Sequence, residues 1–354
     1  MPNVYNHGTI LVTAGYDNSL RFWDAATTKC CRTVAHSKSQ ANRMTISRVR
    51  SHLAVAGNPY VLIFDVAGKS TSEISTLDGH RGNVTALGYE NNAQWLFTAS
   101  EDATMRIWDT RREPMSAFDT RTSSAIYAAQ VHPAQVSVIA GDQDGKVYTW
   151  DLRMASGKGS NPDCLQSVKL ESGMSVRALS VSSDGKRVAV ATNNGRVIVY
   201  SCDSAGGKLS EIANWSAHST YILQTAFSPD GSILATASAD HTVKLWSCAP
   251  TSTGAPTAAA ASSPAPSSPS AAAAPAAAGA AAGEKEKEGY SLWRTLVGHQ
   301  RWVWDCAFNS DGEYLLTGSS DHTARLWRVS TGEAERQFIG HQKAISCIAL
   351  NDAV

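Results

Sequence analysis

The stretch TILVTAGYDNSLRFWD, residues 9–24, decides how the chain folds. It holds a short apolar strand, a tight turn around Asp17 and a second strand ending in Trp23-Asp24, so it reads as the back half of a repeat whose front half is missing. Copies recur as SEDATMRIWD (100–109), GDQDGKVYTWD (141–151), TNNGRVIVY (192–200), SADHTVKLW (238–246) and SSDHTARLW (319–327), with a weaker one, AGNPYVLIFD, at 56–65. Their aromatic ends, Trp23, Phe64, Trp108, Trp150, Tyr200, Trp246 and Trp327, are spaced 41, 44, 42, 50, 46 and 81 residues apart. Removing the 41-residue segment 249–289 reduces the last gap to 40. Seven repeats of this length are what four-stranded propeller blades require.

Within each repeat the apolar runs are short, rich in branched and aromatic residues, and broken by Gly, Asp and Asn, as in VTALGYE, WLFTAS and TMRIWD. The expected fold is all-β, a seven-bladed propeller. The missing front half is found at the far end: after Trp327 the chain runs GEAERQFIGHQKAISCIALND, a Gly-His followed by one further strand at 344–351. If that strand joins the N-terminal strands, the last blade is built from both ends of the chain and the ring closes without an open sheet edge.

Composition excludes several function classes. Lysine plus arginine and aspartate plus glutamate number 31 each, so no net field draws the protein onto nucleic acid or an acidic membrane. The opening residues MPNVYNHGT have neither the charged start nor the apolar core of a signal peptide, and no apolar run reaches membrane-spanning length. Seven scattered cysteines without a C-x-x-C signal neither a disulfide framework nor a zinc site. A soluble, cytoplasmic protein without cofactor or metal is expected.

Histidine, serine and aspartate recur together as His80, Ser100 and Asp102; His218, Ser238 and Asp240; and His299, Ser319 and Asp321. These are the residue types of a hydrolytic triad. Yet the set appears three times at one spacing, with histidine 22 residues before aspartate and Trp108, Trp246 or Trp327 six after it. An enzyme needs one such set in one cleft, so the repetition points to structure. The expected network runs from aspartate to the histidine ring and turn backbone, with serine and the tryptophan N–H extending it. Across the closure, His341 should pair with Asp17 and Trp23. His36 keeps the same spacing to Asn58, while Thr122 and Ser172 stand where two further blades would need histidine.

His, Ser, Asp and Trp at this spacing, Gly-His before the blades and LWD-like ends resemble the WD-repeat family, over all but the insert. The stretches ILVTAGYDNSLRFWD, TYILQTAFSPDGSILATASADHTVKLW, RWVWDCAFNSDGEYLLTGSSDHTARLW and GHQKAISCIALND are more closely similar to the small, G-protein β-subunit-like WD-repeat subunits of target-of-rapamycin (TOR) kinase complexes. That resemblance implies a noncatalytic subunit that docks on the TOR kinase catalytic subunit, stabilises it and helps organise its substrates, reaching endomembranes only peripherally through the complex. An alternative from another class is a substrate receptor of a cullin-type ubiquitin ligase, suggested by WDTR at 108–111 and WDLR at 150–153.

Propeller geometry places Tyr16 and Glu101 on the face reached by the segments after each histidine. HQRWVWD puts Trp302 and Trp304 on one side of a strand, and Tyr221 occupies the position equivalent to Trp302. Aromatics at such a rim make anchors for a partner, although either tryptophan could also fill a wedge between blades. Gln40 and Asn42 are polar where other repeats begin an apolar strand, and are expected to face a partner or water. The insert 249–289 holds six of the twelve prolines among alanine runs, which reads as a disordered loop between the third and fourth strands of one blade, on the opposite face.

Overall fold

The computed structural model describes residues 9–36, 38–68, 70–110, 117–152, 163–203, 207–248 and 289–352. Every regular element among them is a strand, and the 28 strands form seven four-stranded antiparallel sheets. The composite blade combines Ile345–Asn351, Ile10–Gly15, Ser19–Trp23 and Cys30–Ala35, in that order from the inside outward. Blades two to seven follow the chain, with inner strands Arg43–Ile46, Val84–Tyr89, Ile126–Val131, Val176–Val181, Ile222–Phe227 and Val303–Phe308. Neighbouring inner strands pack in a closed cycle, the strand of the composite blade touching those of blades seven and two.

The expected closure is present. Ile10 pairs with Asn351 and Gly15 with Ile345, so the inner edge of the first strands is satisfied by the last strand. Gly15 is required there, because a Cβ on it would lie 2.5 Å from the Ala344 carbonyl oxygen. Strand alternation sends side chains to both faces of each blade, and the buried residues sort into seven clusters, one in each wedge between neighbouring blades. In the wedge between blade seven and the composite blade, Trp23 meets Phe338 edge-on at 5.7 Å, with Leu316 and Ile345 packed beside them.

In blade six, Thr242–Cys248 pairs with Tyr290–Val297 in a register that sets Cys248 opposite Tyr290. The segment between them therefore connects the third and fourth strands of that blade. Its residues 249–288 lie outside the described residues, as do Arg111 and Arg153 of the two W-D-x-R stretches.

Candidate functional site

Four blades carry the same hydrogen-bonded chain. In blade three, Trp108 Nε1 donates to Thr98 Oγ1 at 2.8 Å, that hydroxyl meets His80 Nε2 at 2.7 Å, and His80 Nδ1 lies 3.0 Å from Asp102 Oδ2. Blade six repeats it with Trp246, Thr236, His218 and Asp240, and blade seven with Trp327, Thr317, His299 and Asp321. The composite blade assembles it from both ends of the chain, through Trp23, Thr13, His341 and Asp17. Because the threonine oxygen accepts from tryptophan, its own proton goes to Nε2, leaving Nδ1–H to donate to the carboxylate. Each aspartate also closes its turn, as Asp102 does by accepting from the Arg81 and Thr104 backbone and the Thr104 hydroxyl. Burial works against the Asp102 charge, but the bonds from Thr104, Arg81 and His80 outweigh it and hold the carboxyl at about 2.

This corrects the expected role of serine. Ser100, Ser238 and Ser319 do not extend the network toward tryptophan; each accepts the backbone N–H of its turn aspartate at 3.1 Å. Threonine two residues earlier shares their face of the strand but lies deeper, where histidine and tryptophan meet. The sequence signal was a threonine ten residues before Trp23, Trp108, Trp246 and Trp327. Thr–His–Asp in this order has the connectivity of a catalytic triad. Thr13, Thr98, Thr236 and Thr317 are all fully buried and already accept from tryptophan, so no substrate atom can reach the hydroxyl.

The spacing of His36 and Asn58 also misled. His36 Nδ1 bonds the Ser39 carbonyl, and Asn58 offers only its backbone N–H, to Ser39 Oγ at 2.9 Å. The loop after His36 folds Ser39 into the place that a turn carboxylate takes elsewhere. Blade four replaces the staple with buried Asp142, which accepts from the Lys146 backbone and the Tyr148 hydroxyl, while Thr122 caps Ser124.

The second feature surrounds the mouth of the central channel. In six blades the inner strand skips one residue in its pairing with the next strand: Thr85, Tyr127, Arg177, Leu223, Trp304 and Ser346. Such a bulge re-aims the extra side chain. These six, with Tyr16, Gln40, Asn42, Arg43, Asn83 and Glu101, line a concavity of about 250 Å³. The ring divides into two arcs. On one, Thr85 donates to the Ile126 carbonyl, Ser346 to the Ala41 carbonyl and Asn42 to the Val84 carbonyl, each stitching its blade to the next. On the other, blades four to seven present Tyr127, Arg177, Leu223 and Trp304 in sequence.

Beneath the mouth, Arg43 Nη1 lies 3.0 Å from Asp305 Oδ1, and Arg43 Nη2 donates to Gln224 Oε1 at 2.9 Å. Asp305 Oδ2 accepts the Ile348 N–H at 2.9 Å. Burial pushes the Asp305 carboxyl upward, against the pull of Arg43. A wider cavity of about 570 Å³ continues along the inner strands.

Of the residues expected to meet a partner, Tyr16, Gln40, Asn42, Glu101 and Trp304 come together in the concavity, while Tyr221 and Trp302 do not line it. Both stand outside the rim, 47% and 43% exposed. Trp302 packs on half-buried Trp304 at 5.7 Å, and Trp304 meets Tyr16 edge-on at 6.2 Å and donates to Ser320 Oγ. Neither tryptophan belongs to a wedge cluster. Gln40 is exposed, but the Asn42 amide is committed to the Gly57 and Val84 carbonyls, since Ala41 rather than a neighbour takes the apolar position. Tyr127, Arg177 and Leu223 were not singled out from sequence, although each occupies the strand position of Trp304. Among the described residues no cluster of metal-ligating side chains is present, and no helix is long and apolar enough to cross a membrane.

Seven sheets in a closed ring, four of them stapled by one Asp–His–Thr–Trp chain, define a WD-repeat propeller. The WD domain, G-beta repeat family matches residues 4–24, 71–109, 209–247 and 290–328; the last three hold a whole staple, and the first holds Thr13, Asp17 and Trp23, whose histidine is His341. The chain is 37% identical to target of rapamycin complex subunit wat1 of Schizosaccharomyces pombe, over 98% of its own length and 96% of that protein's. It is 36% identical to target of rapamycin complex subunit LST8 of Saccharomyces cerevisiae, over 97% and 99%, and 33% identical to the Bos taurus subunit of that name, over 98% and 95%. The chain belongs to this LST8 family of WD-repeat proteins.

Proposed function

We propose that the protein is a noncatalytic subunit of a TOR complex, docking its channel-mouth face on the kinase subunit, stabilising it and helping to organise its substrates. The observation that carries the reading is the concavity ringed by Tyr16, Tyr127, Trp304 and the adjoining Trp302, an aromatic surface that no wedge between blades consumes. The relatives named above are target of rapamycin complex subunits, which supports the choice of partner. Tryptophan and tyrosine dominate protein interfaces because they bury large area at little conformational cost. The staples serve stability, and the protein acts by surface complementarity in the cytoplasm. Affinity purification with mass spectrometry tests this. A very large kinase recovered with the parent chain and lost with Trp304→Ala is expected; recovery of a cullin ligase adaptor in its place would overturn it.

A further inference from the structure

Resting on that docking face, we propose that Arg177 is the receptor for an acidic side chain of the docked partner, held between Tyr127 and Leu223 with Trp304 beyond. Three ring residues, Asn42, Thr85 and Ser346, spend their polar atoms on backbone carbonyls of the next blade. Arg43, the other ring cation, is spent on Asp305 and Gln224. Arg177 makes no hydrogen bond or ion pair among the described residues, and its Nε is buried without an acceptor. Its contact is with Tyr127, whose ring lies 4.5 Å below the guanidinium carbon.

The contact with the Tyr127 ring restrains the guanidinium, and with Nε buried it is the two Nη groups that remain to take a planar acceptor in a two-pronged bond. Elsewhere in the propeller the same side chain is used inwardly: Arg32, Arg187 and Arg294 donate to carbonyls of a neighbouring blade. Arg177 is placed like Trp304, on a bulge, and lines the concavity at the mouth. A single uncommitted cation selects a singly charged acceptor. A phosphate group or nucleic acid is disfavoured, because Glu101 lines the same concavity and the chain carries no net charge. A carboxylate flanked by apolar side chains on a partner segment meets each demand: Arg177 for the charge, Leu223 and Trp304 for the flanks.

The test measures binding of the full chain to the TOR kinase subunit across a salt series, for the parent and for Arg177→Met, Arg177→Lys, Arg177→Glu and Trp304→Ala. Arg177→Met is expected to weaken binding by about 30-fold or more and to flatten its salt dependence; Arg177→Glu should lose more and Arg177→Lys less. A loss of packing alone would not flatten the salt dependence. Arg177→Lys keeps a charge and most of the stem, so it reads the site even if the other variants melt early. Parent-like binding by the Met and Glu variants, with Trp304→Ala weakened, overturns the carboxylate receptor and leaves the docking face standing. Parent-like binding by Trp304→Ala as well as by the Arg177 variants overturns both.

Discussion

Arg43 and Asp305 meet at 3.0 Å over the innermost strand of the composite blade, joining blades two and seven while Ile348 of that strand donates to the same carboxylate. Asp305 is 4% exposed, so removing it would strand a largely buried guanidinium and orphan a backbone N–H. Asp305→Ala should therefore destabilise the protein by roughly 3–5 kcal/mol. The double variant Arg43→Met with Asp305→Leu, which leaves no unpaired charge, should recover most of that loss. Denaturant unfolding of the three proteins checks both statements.

Which hydroxyl carries the staple can be decided in blade three. Thr98→Val keeps the shape but removes the hydroxyl that both Trp108 Nε1 and His80 Nε2 bond, at an expected cost of about 2–4 kcal/mol. Ser100→Ala removes an acceptor of the Asp102 N–H and should cost only about 1 kcal/mol. Equal losses in thermal or chemical unfolding would contradict the assignment.

Acid should act in two stages. Burial depresses His36 and His341 below the ordinary histidine range, so the unfolded chain binds protons more readily and stability falls as pH drops below about 6.5. The Asp102 carboxyl, held at about 2, contributes stability that is complete above an unfolded value of about 3.9 and is lost as pH falls through its folded value. The melting-temperature gap between the parent and Asp102→Asn should be largest near neutrality and narrow steadily below about pH 4.

Trp304 and Trp302 should separate in binding. Trp304 is half-buried against Tyr16 inside the concavity, whereas Trp302 stands outside it. Trp304→Ala should weaken kinase association by about 2 kcal/mol or more, and Trp302→Ala by less, with both proteins melting near the parent. Binding assays paired with thermal unfolding decide whether the inner tryptophan is the anchor.

Excising residues 250–288 should leave melting temperature and kinase binding nearly unchanged. Cys248 and Tyr290 are register partners, so a short turn can join their strands, and shortening a loop changes its closure entropy only slowly. Loss of binding would show the segment to be a recognition element.

The fold was legible because the repeat fixes its own register: the His80–Asp102 interval foretells His341–Asp17 once the ends are joined. The staple was partly legible. Serine was the expected hydroxyl, yet Thr98 lies on the same face two residues deeper, and only depth separates them. At the mouth, Trp304 was visible as an exposed-looking aromatic. Arg177, Tyr127 and Leu223 were not, because a bulge turns alternate residues without marking the apolar run that contains it. Two asparagines depart for separate reasons: the Asn42 amide, although it lines the concavity, bonds the Gly57 and Val84 carbonyls, and the Ser39 carbonyl takes the place beside His36 that the spacing had given to Asn58.

The composite blade also imposes an order in time. Of the 28 described strands, the one that completes the ring, Ile345–Asn351, is the last to be synthesised, and its partner, Ile10–Gly15, is the first. While the intervening blades emerge from the ribosome, the opening strands wait with an unpaired inner edge. The apolar wedge around Trp23 and Phe338 remains open until the final strand arrives. Translation therefore exposes the sticky part of the molecule for as long as possible, and a cell making this protein must shield that edge until the ring is closed.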